Sequence, residues 1–483
     1  MHRRSRTQLA LVALWLLSSL PALANGRFPR AQRLLEHPSD PNRLVLAGTY
    51  GLLVTEDRGQ SWSYVCEPAF THEQTYVGDP LVDFTGDEGL LVNVQGSISV
   101  SAADACDWKQ TLESGHDFIV DHSLSKSNPA LVIAAVVRVT GNSVSNELRI
   151  SRDNGQTWSE LGTPLPLDTL YTVDIDPLDP EHLYATGMRD DAGQLVSSED
   201  QGQTWKAHAI ANTDATEIPY LAAIHPLDPR QLFIRTDSTR SSGDTLAGDA
   251  LLYSNDGGLS FREVFRAPAK LLGFALAPDG SSVLVGFGHP NPIAATPASV
   301  GVGVFKSSTE NFSFEQVYGG NVNCLTWTAS GVYVCSDETR TGFELGFSPD
   351  SDFRPDGSCL QPLLRRTEVR GPVACAPTTS AAVCNGSWSR DCAQLGACSA
   401  DGGRSGSECQ PFTPGGRSPG GASGTGANGL PASRPGAGDG GCQLATQAAD
   451  GAGRRCLLPF LAAACSMVGR RHRRRRKAAR DRD

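Results

Sequence analysis

The sequence lacks an apolar run of the roughly 20 residues that a membrane-spanning helix needs. Its most apolar stretch, Leu9 to Leu17, follows three arginines and precedes the small residues Ala22-Leu23-Ala24. That order is typical of a secretory signal peptide cleaved after the small residues. We therefore predict that residues 1–24 are removed and that the protein is exported through the Sec pathway to the cell surface or beyond.

Recognisable catalytic and metal-binding motifs are also missing. The sequence has neither a C-x-x-C pair nor a G-x-S-x-G elbow, so it gives no ground for a zinc ribbon or a serine hydrolase. His37, His122 and His225 stand at or near equivalent turn positions of a repeat, where a role in the turn is favoured over metal ligation. We expect no cofactor and no metal, and no catalytic residue is identified.

Positive charge is scarce outside the two ends. The net charge is −10, although residues 469–483 carry +7 and residues 1–24 carry +3, so the remaining chain is near −20. A body this acidic does not attract nucleic acid or anionic lipid through its overall charge. We expect no nucleic-acid partner.

Cysteine, by contrast, is plentiful. Thirteen cysteines in an exported chain favour disulfides. We predict that Cys66 pairs with Cys106 and that Cys324 pairs with Cys335, while the connectivity of the late cysteines stays open.

An octapeptide recurs four times with the pattern S/T-x-D-x-G-x-S/T-W/F. The aspartate accepts local backbone hydrogen bonds from two residues further on, the glycine permits a positive φ, and the aromatic residue begins the next strand and packs against a neighbouring repeat. We assign structural roles to its recurring positions, which are Asp57, Gly59, Trp62, Asp153, Gly155, Trp158, Asp200, Gly202, Trp205, Asp256, Gly258 and Phe261.

Degenerate copies of the octapeptide end at Trp108, Phe314 and Phe353. All seven copies then recur at 39 to 56 residues, close to the ~40 to 50 residues of a four-stranded propeller blade. Turn sequences such as Asp176-Pro177-Leu178-Asp179-Pro180 separate the first two strands of a repeat. The predicted fold is all-β, a single β-propeller of about seven four-stranded blades over residues 25–355, with six or eight blades as alternatives.

The octapeptide resembles the Asp-box, or BNR repeat, of sialidase-like and sortilin-like propellers. This resemblance implies that the boxes and the first turns share one face, and that ligands bind the opposite face, built from the loops between second and third strands and from the connections between blades. The candidate ligand residues on those loops are Arg189, Asp190, Asp191, Arg235, Asp237, Arg240, Asp244 and His289.

The resemblance leaves two functions open. The first is non-catalytic binding of a carbohydrate or an extracellular protein by a monomeric, surface-displayed propeller. The alternative is a glycoside hydrolase of sialidase-like or glucanase-like type, for which Arg27-Phe28-Pro29-Arg30 offers a faint N-terminal motif. Acidic pairs such as Asp83 with Asp87 and Asp174 with Asp176 occur, but spacing alone does not place two carboxylates about a sugar bond.

The C-terminal part differs from the repeats. Residues 356–410 are rich in cysteine and predict a small disulfide-tied cap, with a cysteine-bearing linker as the alternative. Residues 411–441 have the Gly/Ser/Pro-rich composition of a disordered stalk. Residues 442–483 combine cysteine, a short apolar run and an arginine cluster, which resembles the MYXO-CTERM sorting signal of myxobacteria. This tail predicts possible membrane attachment.

Overall fold

The computed structural model describes residues 29–398 apart from 73–78, 114, 116, 142, 243–244, 290–300 and 354–359. The predicted signal peptide, stalk and tail lie outside the described residues, as does Asp244.

The described chain is an all-β fold in which the strands follow one another as antiparallel groups of four. The first group comprises β1 (Ala31–Glu36), β2 (Leu44–Gly48), β3 (Gly51–Thr55) and β4 (Trp62–Val65). The second group comprises β5 (Leu81–Phe84), β6 (Leu90–Asn93), β7 (Ser97–Ser101) and β8 (Trp108–Glu113). The third group comprises β9 (Phe118–Leu124), β10 (Val132–Thr140), β11 (Ser143–Ser151) and β12 (Ser159–Leu161). The fourth group comprises β13 (Thr169–Ile175), β14 (Leu183–Arg189), β15 (Ala192–Ser198) and β16 (Lys206–Asp214).

The second half of the chain continues the same order. The fifth group comprises β17 (Glu217–Ile224), β18 (Leu232–Ser238), β21 (Ala250–Ser254) and β22 (Arg262–Arg266), and the short strands β19 (Ser241–Ser242) and β20 (Thr245–Leu246) form a separate hairpin within it. The sixth group comprises β23 (Lys270–Leu276), β24 (Ser282–Gly288), β25 (Gly303–Ser308) and β26 (Glu315–Tyr318). The seventh group comprises β27 (Cys324–Thr328), β28 (Gly331–Cys335), β29 (Leu345–Ser348) and β30 (Gln361–Leu364). Pairing of Asp214 with Glu217 joins the fourth and fifth groups into one eight-stranded sheet.

The middle strands of each group read as continuous apolar runs because both of their faces are covered. In β10, for example, the six residues from Val132 to Val137 are all buried. Outer strands such as β16 expose several side chains instead. The apolar core is accordingly divided into clusters that lie between neighbouring groups, such as the cluster of third-group and fourth-group residues from Leu131 to Val196.

The first strands of the groups contact one another in sequence. β1 contacts β5, β5 contacts β9, β9 contacts β13, and β13 contacts β17. The fifth group then contacts β23 through β18, β23 contacts β27, and β27 of the last group contacts β1 of the first.

Each octapeptide joins the third and fourth strands of its group, as the sequence template requires. The bonding of the aspartate differs from our expectation, because the donor lies four residues further along the chain and not two. Asp57 Oδ1 accepts the Ser61 N–H at 2.8 Å and its Oδ2 accepts the Ser61 hydroxyl. The Thr55 hydroxyl supplies a third bond to Asp57 at 2.7 Å. Asp57 therefore accepts a hydroxyl hydrogen bond from each end of the turn, from Thr55 before it and from Ser61 after it.

The glycine and the aromatic residue of a box lie against a neighbouring group of strands. Gly59 has a φ of +80°, and its hypothetical Cβ would collide with Leu363 of the seventh group. Trp158 of the third group donates its indole N–H to Gly155 O at 3.0 Å and to Thr111 of the second group at 3.2 Å. The box thus packs against the preceding group of strands.

The C-terminal segment folds back onto the first two groups. β31 (Val369–Pro372) pairs in parallel with β4, and helix α3 (Val383–Leu395) packs near helix α1 (Glu67–Thr71). A third short helix, α2 (Glu338–Thr341), lies between β28 and β29.

This segment overturns one predicted disulfide. Cys66 and Cys106 are not paired with each other, because Cys66 bonds Cys384 and Cys106 bonds Cys375. The physical reason is that the returning segment lies against both groups, since β31 pairs with β4 and the Ala381 N–H donates to Cys106 O, and it brings its own cysteines beside Cys66 and Cys106. Cys324 does bond Cys335, across neighbouring strands as predicted, and Cys392 bonds Cys398. β30 lies beyond residue 355, the predicted end of the repeats, and pairs with β29 as the fourth strand of the seventh group.

Candidate functional site

A central cavity of about 490 Å³ lies where the first strands of all the groups meet. Each first strand contributes residues to its wall, and Lys126 and Arg235 complete it. The lining residues of the first strands are Gln32 to Leu35 in β1, Asp83 in β5, Asp121 to Leu124 in β9, Thr172 and Asp174 in β13, Tyr220 to Ala222 in β17, Leu272 to Leu276 in β23, and Cys324 to Trp327 in β27.

The wall built by the first four groups is charged. Arg33 donates two hydrogen bonds to the Asp83 carboxylate, at 2.8 and 3.0 Å. The buried His122 side chain places its Nε2 3.1 Å from Asp83 Oδ2 on the other side. Burial alone would raise the pKa of Asp83, but Arg33 and His122 outweigh it and lower that pKa to about 2. Asp83 is therefore an ionised, fully engaged carboxylate.

His122 departs from the sequence interpretation, which gave it a turn role. His37 and His225 do serve turns, since the ring Nδ1 of each accepts backbone N–H groups two or three residues on. His122 lies within β9 instead, three residues before the turn that Ser125 opens. It reaches across to the preceding group of strands.

Two further carboxylates on this wall differ in how they are held. Asp121 Oδ2 accepts the Val173 N–H at 3.1 Å and so joins the third and fourth groups. Asp174 is half-buried, and within the described part of the chain its side chain makes no hydrogen bond or ion pair. Burial raises the pKa of Asp174 well above its ordinary value, and the nearby Asp121 charge adds to this.

The opposite wall, from the fifth to the seventh groups, is largely apolar. It presents Leu221, Phe274 and Trp327 to the cavity. At its edge the Arg235 guanidinium stacks 4.7 Å from the centre of the Tyr220 ring. A ligand in this cavity would therefore meet polar groups on one side and aromatic or aliphatic groups on the other.

The candidate residues chosen from sequence do not converge on the cavity. Of those that the structure describes, Arg235 lines it and the others lie elsewhere. Arg189, Asp190 and Asp191 occupy the exposed tip of the hairpin between β14 and β15, where both aspartates adopt positive φ. There the Asp190 N–H donates to Asp168 at 2.8 Å.

The remaining described candidates hold neighbouring elements together. Asp237 forms an ion pair with Lys270 of the sixth group. Arg240 forms an ion pair with Asp214 at 2.8 Å. The His289 N–H donates to Asn321 of the seventh group at 2.8 Å, and burial lowers the pKa of the His289 side chain. These polar residues therefore link neighbouring groups of strands.

Sequence reasoning passed over the carboxylates that do line the cavity. Asp83 and Asp174 each lie two residues before the residue that opens a first turn, Thr85 and Asp176 respectively. Asp174 lies at the end of β13, and Asp176 serves the turn that follows, where its Oδ1 accepts the Leu178 N–H at 2.8 Å. Alignment of the first turns between repeats would have exposed this shared position.

No cluster of three or more potential metal ligands occurs among the described residues. Nor does any helix in the described ranges have the length and apolarity to cross a membrane.

Residues 149–160 match the family model of the BNR/Asp-box repeat. No curated protein aligns significantly with the sequence. Among solved structures, the fold is similar to an ancestral GH74 enzyme (14% identity, TM-score 0.35), of which the chain spans 38% while 69% of this chain is covered. It is also similar to the GH74 xyloglucanase from Xanthomonas campestris (13% identity, TM-score 0.29, covering 67% of this chain and 55% of that one) and to YCF48 from Cyanidioschyzon merolae (15% identity, TM-score 0.35, covering 54% and 92%). These similarities are too distant to indicate a function.

Proposed function

We propose that this protein is an exported, surface-displayed β-propeller of seven blades that binds a carbohydrate or protein partner in its central cavity, without catalysis. The single observation that carries the proposal is the cavity itself, to which every first strand contributes. The sequence of contacts from β1 through β27 and back to β1 supports closure of the seven groups into one ring.

The state of the cavity carboxylates favours binding over hydrolysis. Glycoside hydrolysis generally needs two carboxyl groups free to act on opposite sides of one bond. Asp83 is held by Arg33 and His122, and Asp121 is held by the backbone of the next group. Two of the three carboxylates are thus committed to the scaffold.

Asp174 supports the second candidate, a glycoside hydrolase. A carboxyl group with a raised pKa beside an ionised carboxylate has the protonation needed of a general acid. In that case Asp174 would protonate the leaving oxygen, and Asp121 would be the nearest carboxylate for the complementary role.

A panel of oligosaccharides and peptides tested against the exported chain separates these possibilities. We expect binding that Asp174→Asn or Trp327→Ala weakens at least ten-fold, since both side chains face the cavity. Asp190→Asn is the matched control because its carboxylate is exposed and outside the cavity. Equal binding by all three variants would refute the cavity as the site. Turnover that disappears in Asp174→Asn and persists in Asp190→Asn would replace the binding proposal with the hydrolase.

We further propose that residues 1–24 direct export, that 366–398 form a disulfide-tied cap, and that 411–441 and 442–483 act as a stalk and a MYXO-CTERM-like sorting tail. The four disulfides of the described chain support folding in an oxidising compartment outside the cytosol. Mass spectrometry of the cell-surface protein tests the ends. An N-terminus at Asn25 is expected, and a retained residue 1 would contradict the signal peptide.

A further inference from the structure

A second cavity, of about 500 Å³, lies between the first and second groups and away from the central one. Part of its lining is apolar, formed by the partly exposed Val54 and Phe84 with the buried Leu44, Val45 and Leu90 behind them. Val373 and Ala374 of the returning C-terminal segment also line it. Because these two residues belong to neither group of strands, we call this part of the lining the roof.

The roof is attached at its two ends and at one point between them. On one side Val373 donates its N–H to Tyr64 O at 3.0 Å, directly after β31. On the other side the Ser380 hydroxyl accepts the Trp108 N–H at 2.7 Å. Between these anchors the Cys106–Cys375 disulfide holds the roof to the second group, and Cys106 itself lines the cavity.

The two disulfides of the returning segment differ in access. Cys66 and Cys384 are buried, with exposures of 1% and 0%. Cys375 is partly exposed, and the residues that follow it, up to residue 378, are exposed. A reductant therefore reaches Cys106–Cys375 first, and the helix α3 stays fastened through Cys384 while the roof is released.

The charges around this cavity have one predominant sign. Glu56 and Asp104 are exposed carboxylates at its rim, and Asp57 lies beside them. Arg43 is the basic residue of the lining, and its guanidinium already donates to the carbonyl oxygens of Glu88 and Ala103 at 3.2 and 3.1 Å. Apolar side chains such as Val54 and Phe84 beside these carboxylates complement a ligand that carries an apolar body and a positive charge.

We propose that this cavity is a second ligand pocket, that residues 373–379 are its lid, and that the Cys106–Cys375 disulfide keeps the lid closed. A dithiol reductant opens it: one thiolate attacks a sulfur of the disulfide, and the second thiol of the reductant resolves the mixed disulfide. The protein gains two thiols and the reductant leaves as its own disulfide. The opened pocket takes a small organic cation with an apolar body.

The test uses the full exported chain with both lid cysteines replaced, Cys106→Ser with Cys375→Ser. The matched control removes the disulfide within the seventh group, Cys324→Ser with Cys335→Ser. Benzylamine and benzoate serve as probes of opposite charge and similar shape, with affinities measured by ligand-observed NMR. Hydrogen–deuterium exchange of residues 373–379 reports the lid directly.

We expect benzylamine to bind the lid variant at least ten-fold more tightly than it binds the unreduced protein or the control, and benzoate to gain nothing. Adding Glu56→Gln and Asp104→Asn should remove that gain, whereas adding Asp174→Asn in the central cavity should not. Lid exchange should rise in the lid variant alone. Unchanged exchange, equal benzylamine affinity in lid variant and control, or an equal gain for benzoate would each overturn the proposal.

Discussion

At the scale of single residues, the Asp-box aspartates show why a carboxylate recurs at that position. Asp256 accepts the Ser254 hydroxyl at 2.7 Å, the Ser260 N–H at 3.0 Å and the Ser260 hydroxyl at 2.6 Å. Burial would raise its pKa, but these bonds, led by those from Ser260 and Ser254, lower the pKa of Asp256 to about 2. An amide or hydroxyl side chain has fewer acceptor sites and cannot accept all three bonds.

We therefore predict that Asp57→Ala lowers the free energy of unfolding by about 2 kcal/mol at pH 7, because two hydroxyls and one N–H lose their acceptor. The depressed pKa of Asp57 sets the sign of the pH dependence. The Asp57 carboxylate contributes its full stabilisation at pH values above about 4, the pKa that it has in the unfolded chain. This contribution is lost as pH falls through the lower pKa of the folded state, so the loss of stability caused by Asp57→Ala should shrink in acid. Urea unfolding at pH 7 and pH 2.5 measures this. Exposed Glu56→Gln is the control, and a deficit independent of pH would refute the carboxylate's role.

At the scale of elements, the returning segment is a clamp that local sequence patterns cannot reveal. β31 lies more than 300 residues after its partner β4 and pairs with it through Val369 and Pro372. The Tyr64 and Trp388 rings, 5.6 Å apart, pack the helix α3 against the same strand. Because the pairing is so sparse, the disulfides supply much of the clamp's attachment.

We predict that removing Cys66–Cys384 destabilises the protein more than removing Cys324–Cys335. The two bonds span 318 and 11 residues along the chain, but Cys106–Cys375 remains when Cys66–Cys384 is removed and shortens that loop to about 50 residues. Loop entropy then gives a difference of about 1.3 kcal/mol in the chain-entropy model. Serine pairs at both positions, compared by urea unfolding under non-reducing conditions, measure it. A larger loss from the short loop would mean that the clamp contributes little to the fold.

The difference between local and long-range contacts explains which elements could be predicted from the sequence. The boxes place third and fourth strands because their chemistry is local, so Asp200 and Trp205 reveal their hairpin from the sequence alone. The hydroxyl and glycine spacing repeats in four of the groups for the same reason. Cys66 instead pairs across 318 residues with Cys384, and Asp174 lines a cavity together with residues of the other six groups. The residues next to Cys66 and Asp174 in the chain indicate neither of these long-range contacts.

At the scale of the whole molecule, the first and last groups must hold together without a strand shared between them. The Thr326 hydroxyl donates to Leu34 O at 2.8 Å, and the Tyr333 hydroxyl donates to Glu36 at 2.7 Å. Arg366 donates to Pro29 O at 3.0 Å. The chain that leaves the seventh group also fastens to the first at this seam, because β31 follows β30 after a short connection and pairs with β4, and Cys384 bonds Cys66.

Glu344 lies buried at the seam, where it accepts the Ala31 N–H and has Arg366 at 3.5 Å. Burial outweighs the Arg366 charge and raises the pKa of Glu344 to about 8. The folded seam thus holds a proton that the unfolded chain releases above about pH 4.3, so the free energy of unfolding must fall as pH rises from about 4.5 to 8.

Glu344→Gln keeps an acceptor for the Ala31 N–H and cannot titrate. The free energy of unfolding should therefore fall less steeply with pH in this variant, by up to about 1 kcal/mol per pH unit over that range. Urea unfolding of both proteins at pH 5, 6.5 and 8 measures the two slopes, with exposed Glu88→Gln as the control. If the slope is the same with and without Glu344, the carboxyl group is ionised against Arg366 in the folded seam. The joint between first and last groups would then be an ion pair, insensitive to pH in this range, and its strength would depend on salt.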